Sequence, residues 1–138
     1  MTTSLLYRIA AVLLVFYAAG HTMGFRRVDP RWGIDAFVAG LRTTRFDVQG
    51  RRQSYWDFYV GFGLFVTVLL VFTAVLAWQL GGLPAATLAT LPLITWGLAA
   101  CFVAATAVTW RYFFAAPIVF SVVITLCLLA AAWVAGRP

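Results

Sequence analysis

The sequence predicts an all-α fold, an integral membrane up-down bundle of four transmembrane helices with a short amphipathic helix in the loop between helices 1 and 2. Three observations predict it. Only 10% of the 138 residues are charged and 64% are hydrophobic, whereas a typical soluble domain carries roughly 25% charged residues. Such a chain cannot cover a soluble surface, so lipid must act as its solvent. The apolar residues also gather into four runs, each near the ~20 residues a helix needs to cross ~30 Å of hydrocarbon. Finally, seven of the ten Arg fall within residues 26–53, which confines the basic character to one loop.

The elements follow in order. The first span covers about 5–25, and His21 is the only side chain between Ile9 and Phe25 that titrates near neutral pH. Arg8, the apolar stretch and Ala18-Ala19-Gly20 have the outline of a signal peptide with its cleavage site, but the segment is taken as retained and read as helix 1. The second span covers about 55–80, and LGGLP at 80–84 stops it with Gly-Gly and Pro. The third covers about 86–110 and contains Pro92, placed for a kink or a late N-terminus. The fourth covers about 115–135, with Pro117 suited to a first turn. Short connections make neighbouring spans antiparallel, and the chain reads as one domain, 1–138.

The interfacial loop, 26–53, opens on Asp29-Pro30, a helix-start pair. Ile34, Phe37, Val38 and Leu41 then share one helical face, with Arg42 and Arg45 on the other and Gly50 closing the segment. This is the pattern of a short helix lying at the membrane surface. Eight Arg fall on the side of this loop, including Arg111, and only Arg8 and Arg137 on the other. The absence of Lys beside abundant Ala and Leu fits a bacterial gene and so a bacterial inner (plasma) membrane protein, and the positive-inside rule predicts the large loop in the cytoplasm.

Several function classes are excluded at this stage. Nucleic acid needs a soluble basic face, which the chain lacks. Cys101 and Cys127 form no CxxC pair and have no His at ligand spacing, so no metal or redox centre is signalled. A single His rules out bis-His haem ligation within one protomer, and no cofactor is expected. Anionic lipid headgroups are the natural partner of the Arg-rich loop.

The stretch SYWDFYVGFG at 54–63 places Asp57 at the head of the most hydrophobic run. Ser54 and Asp57 fit the S-x-x-D capping box, in which each side chain meets the other's backbone N–H. A first-turn carboxylate also complements the helix dipole, and Tyr55, Trp56 and Tyr59 fit an interfacial aromatic belt. A second reading starts from depth. His21 precedes Arg26 by five residues and Asp57 follows Arg52 by five, so both lie at the same membrane side. Arg111 and Tyr112 end the third span on that side as well. Polar groups in spans mark functional sites by default, so these residues are expected to converge beneath the loop. The G-x-x-x-G spacing of Gly20 and Gly24 would let helices 1 and 2 approach closely there.

AAGHTMGF, RFDVQG and SYWDFYVGFGLF, within residues 18–80, resemble an uncharacterised family of small bacterial four-helix membrane proteins. That resemblance implies the architecture and points to His21, Asp57 and the Tyr-Trp cluster. In outline the chain is also similar to DoxX-like proteins, linked to quinone and sulfur redox functions. It is similar too to the emopamil-binding and sterol-isomerase group, which holds a hydrophobic ligand in a bundle cavity, although the several embedded carboxylates of the isomerase are missing here.

The resulting expectation is a pocket at one end of the bundle for a hydrophobic ligand with a polar head, a quinone, an isoprenoid or a lipid. His21 and Asp57 would bind the head or exchange a proton with it. Tyr55, Trp56, Tyr59, Arg111 and Tyr112 would position it. The alternative is an accessory or assembly subunit, or a homo-oligomer, without catalysis and with a membrane partner protein.

Overall fold

The computed structural model describes residues 2–136; Arg137, counted above for orientation, lies outside them. The elements are α1 (Thr3–Gly24), a 3-10 turn (Pro30–Trp32), α2 (Asp35–Thr43), β1 (Phe46–Val48), β2 (Arg51–Gln53), α3 (Tyr55–Gly81), α4 (Ala85–Ala89), α5 (Pro92–Tyr112) and α6 (Ala115–Ala135). The four long helices α1, α3, α5 and α6 are long and apolar enough to cross a membrane. Large side chains confirm the solvent they need: Phe62, Phe65 and Phe72 of α3 are 69%, 61% and 63% exposed. The chain is a multi-pass membrane protein.

It forms two compact units, residues 1–17 with 70–138, and residues 18–69. The first holds the bundle core, in which each long helix buries one seam at 3–4-residue spacing. Leu6, Tyr7, Ala10 and Leu14 do this on α1, Leu70, Ala74, Ala77 and Leu80 on α3, Ala99 and Phe102 on α5, and Ile124, Leu128, Ala131 and Ala135 on α6. The abundance of Ala is functional: lipid is as apolar as the core, so helices associate through close packing and hydrogen bonds. Two extended residues, Phe113 and Phe114, link α5 to α6 and turn the chain back. Thr125 Oγ1 donates to Phe102 O at 3.0 Å and meets Thr106 Oγ1 at 2.8 Å, clamping that pair. Ser4 Oγ donates to Gly81 O, and Arg8 lies over Trp78 at 5.0 Å, joining the start of α1 to the end of α3.

The third span differs from its expected bounds. Pro84 starts a separate five-residue helix, α4, and Pro92 opens α5, so the late N-terminus is the outcome. Pro92 lacks the N–H that a helix running through from α4 would require.

The second unit carries the ends of α1 and α3 with the loop between them. Asp29 does cap a helix, but only the 3-10 turn, because Gly33 follows in the left-handed region at φ +65. The amphipathic helix α2 then runs nine residues and ends at Thr43. Gly50 does not close it. Residues 46–53 form an antiparallel hairpin, pairing Phe46 with Gln53, Asp47 with Arg52 and Val48 with Arg51. Gln49 and Gly50 both have positive φ, 50° and 80°, which is the backbone of a type I′ two-residue turn. Asp47 Oδ1 secures the turn by accepting from Gly50 N at 2.9 Å.

Candidate functional site

Asp57 completes the capping box expected for it. Its Oδ2 accepts from Ser54 N and Ser54 Oγ, both at 2.9 Å, while Ser54 Oγ accepts from Asp57 N at 3.2 Å. The same Oδ2 receives Arg45 Nη1 at 2.7 Å. Ser54 is buried, so its backbone N–H has no water to turn to. The carboxylate therefore fixes the start of α3 and ties the residue ahead of β1 to it. A second tie lies beside it, with the Arg42 guanidinium 4.2 Å over the Trp56 ring, a cation–π contact that joins α2 to the same turn.

His21 meets a different partner. Its Nε2 stands 3.0 Å from Gly63 O, and a carbonyl oxygen only accepts, so Nε2 carries the hydrogen. Gly63 lies six residues after Asp57, a rise of about 9 Å along α3. Among the described residues His21 and Asp57 share no hydrogen bond. Thr22 and Thr67 reinforce the His21 contact one turn deeper, at 2.9 Å between hydroxyls, with Thr22 Oγ1 also 2.7 Å from Ala18 O. The close approach sits at Gly63 and not at Gly20 or Gly24, which meet nothing within 4 Å. A Cβ on Gly63 would collide with the Phe25 ring.

Phe25 belongs to a row of rings. It stacks on His21 at 5.0 Å and meets Tyr59 edge-on at 5.9 Å, and Tyr59 lies 5.3 Å from Trp56. Tyr59 Oη donates to Phe25 O just past the end of α1, satisfying a carbonyl that no helical N–H reaches. The belt aromatics thus lock α1 to α3, and Tyr59 is their hinge point.

On the other side of α3 the hairpin forms an open groove of about 580 Å³, lined by Phe46, Val48, Tyr55, Phe58, Tyr59 and Phe62. Phe46 supports its floor, 5.0 Å from Tyr55 and 6.2 Å from Phe58. Another groove, between α1 and α3 in the first unit, is smaller at about 240 Å³ and lined by Ala, Val and Trp78 alone. Only the hairpin groove offers tyrosines.

Of the residues expected at a ligand, Tyr55 and Tyr59 line this groove and Trp56 supports them from the side. Arg111 and Tyr112 belong to the other unit, where Arg111 lies over the Tyr112 ring at 5.2 Å. Sequence reasoning missed Phe46, Val48, Phe58 and Phe62. The signal was there: Tyr55, Phe58 or Tyr59, and Phe62 recur at helical spacing, and FDV-QG-RRQ alternates around a two-residue turn. Among the described residues no group of three or more His, Cys, Asp or Glu comes together. Comparison with protein-family models, curated proteins and solved structures gives no match.

Proposed function

We propose that this protein binds a hydrophobic molecule with a polar head, such as a quinone, an isoprenoid or a lipid, in the groove between the hairpin and the first turns of α3. The observation that carries the reading is the groove's composition: a wall of Phe46, Val48, Phe58 and Phe62 beside two tyrosines. Tyr55 is 65% exposed, and its hydroxyl is not bonded within the described protein, so it is placed to meet a polar head while the phenyl rings hold the tail. Tyr59 presents its ring edge to the groove while its hydroxyl holds α1.

In this reading His21 and Asp57 are positioning residues. Each uses its polar atoms on the frame of the groove, His21 through Gly63 and Asp57 through Ser54 and Arg45. The Arg distribution supports placing the hairpin and α2 at the cytoplasmic surface. The exposed Trp32 and Phe37, at 62% and 65%, would then enter the headgroup region.

The test is a thermal-unfolding screen of the detergent-purified protein against a quinone, an isoprenoid alcohol and a phospholipid. A molecule that binds only the folded state raises the midpoint in proportion to its saturation. One class should raise it by several degrees in the wild type and leave Phe58→Ala unmoved. No response to any class, or an equal response in Phe58→Ala, removes the proposal.

A further inference from the structure

We propose that the occupant of the hairpin groove is an anionic phospholipid of the surrounding bilayer, with Arg51 as the residue that selects the net negative charge of its head. This rests on the groove reading above and names the ligand class within it. The hairpin register carries the inference. Val48 pairs directly with Arg51, and opposed residues of an antiparallel pair project on the same face, with Cβ atoms about 4.5–5.5 Å apart. Val48 and Phe46 line the groove, so Arg51 stands on the groove face of the hairpin and Arg52, opposite Asp47, on the other.

Charge decides the sign of the head. Residues 26–53 hold seven Arg and three Asp, a net +4. Two of the seven are neutralised, Arg31 by Asp29 and Arg45 by Asp57, each at 2.7 Å. Among the described residues the Arg51 side chain has neither an ion pair nor a hydrogen bond, and it is exposed. A guanidinium at the rim of an apolar trough matches a phosphodiester on two acyl chains, best where no choline in the same head competes for the phosphate charge. A neutral quinone head would leave that charge unmatched. Tyr55 at the same rim supplies an O–H donor for a second head oxygen.

The experiment is native mass spectrometry of the full chain incubated with mixed micelles of phosphatidylglycerol and phosphatidylcholine of identical acyl chains, with ubiquinone added in a parallel sample. The wild type should retain one phosphatidylglycerol in preference to phosphatidylcholine. Arg51→Gln should lower that ratio about five-fold, the factor one basic side chain contributes at an anionic surface, and Arg51→Lys should restore most of it. Arg52→Gln, on the opposite face, should lower it far less. Equal retention of both lipids, or a preference untouched by Arg51→Gln, overturns the anionic-lipid assignment while leaving the groove occupied. Preferential retention of ubiquinone does the same. Retention of neither lipid nor quinone, or retention unchanged in Phe58→Ala, removes the groove reading together with this one.

Discussion

A single carboxylate illustrates how position outweighs residue type in this protein. Asp57 invites a catalytic reading because it enters an apolar helix, yet its Oδ2 takes three hydrogen bonds from Ser54 and Arg45. Ser54→Ala should therefore cost about 1 kcal/mol, the usual loss for a helix cap, measured by reversible unfolding in mild detergent. Asp57→Asn should lower the thermal midpoint through the lost Arg45 pair, yet leave the ligand response of the groove in place. Gly63 is the opposite case, a residue whose lack of a side chain matters. Gly63→Ala gains helix propensity of up to ~1 kcal/mol, but the methyl meets a Phe25 ring held between His21 and Tyr59. Overpacking, at roughly 1–3 kcal/mol, should win, and Phe25→Leu should recover most of the loss in the same unfolding assay. In the loop, Asp29 is held below the ordinary carboxylate range by the Arg31 side chain and then by the Arg31 backbone N–H. A depressed carboxyl stabilises the 3-10 turn above the normal Asp range and loses that effect only as pH falls through its own lower value. A carbon-detected NMR titration should show the Asp29 midpoint below ~3.9, moving up in Arg31→Ala.

At the scale of elements, the spans were legible because their signal is additive: about twenty apolar residues need no help from tertiary context. The stops were legible too, since Gly81-Gly82-Leu83-Pro84 and Pro92 act locally. The hairpin was not, because three-residue strands carry too little periodicity to compete with the helical spacing of the preceding Ile34, Phe37, Val38 and Leu41. Its turn is also written Gln49-Gly50 in place of the usual Asn-Gly. The capping box was readable from four letters, whereas the groove needed the hairpin to bring Phe46 and Val48 onto α3. His21 and Asp57 were expected to converge because equal distance from a loop suggests equal depth. They did not pair, since His21 meets the backbone at Gly63, six residues further along α3, while Asp57 turns back to Ser54 and Arg45. The spacing of Gly20 and Gly24 bears on the alternative of an assembly subunit. With nothing within 4 Å of either, Gly20→Ala and Gly24→Ala should leave monomer stability unchanged or slightly raised. A change of oligomeric mass in detergent would instead reveal a helix partner on that face.

At the scale of the whole molecule, one unit holds a bundle core packed through small residues, and the other holds an aromatic groove lined by the hairpin and the first turns of α3. Side-chain-to-backbone bonds, Tyr59 to Phe25, His21 to Gly63 and Asp57 to Ser54, organise that second unit. Each bond satisfies a backbone group at the end or side of a helix. If the hairpin faces the cytoplasm, a cysteine introduced at Gln49 should react with an impermeant thiol reagent only after the membrane is opened. The most direct test of the central claim is native mass spectrometry of the protein gently extracted from its own membrane, with the co-purifying small molecules identified. One recurrent stoichiometric amphiphile, present with the wild type and absent from Phe58→Ala, is the predicted result. A bare mass, or the same bulk phospholipid on both proteins, would contradict it.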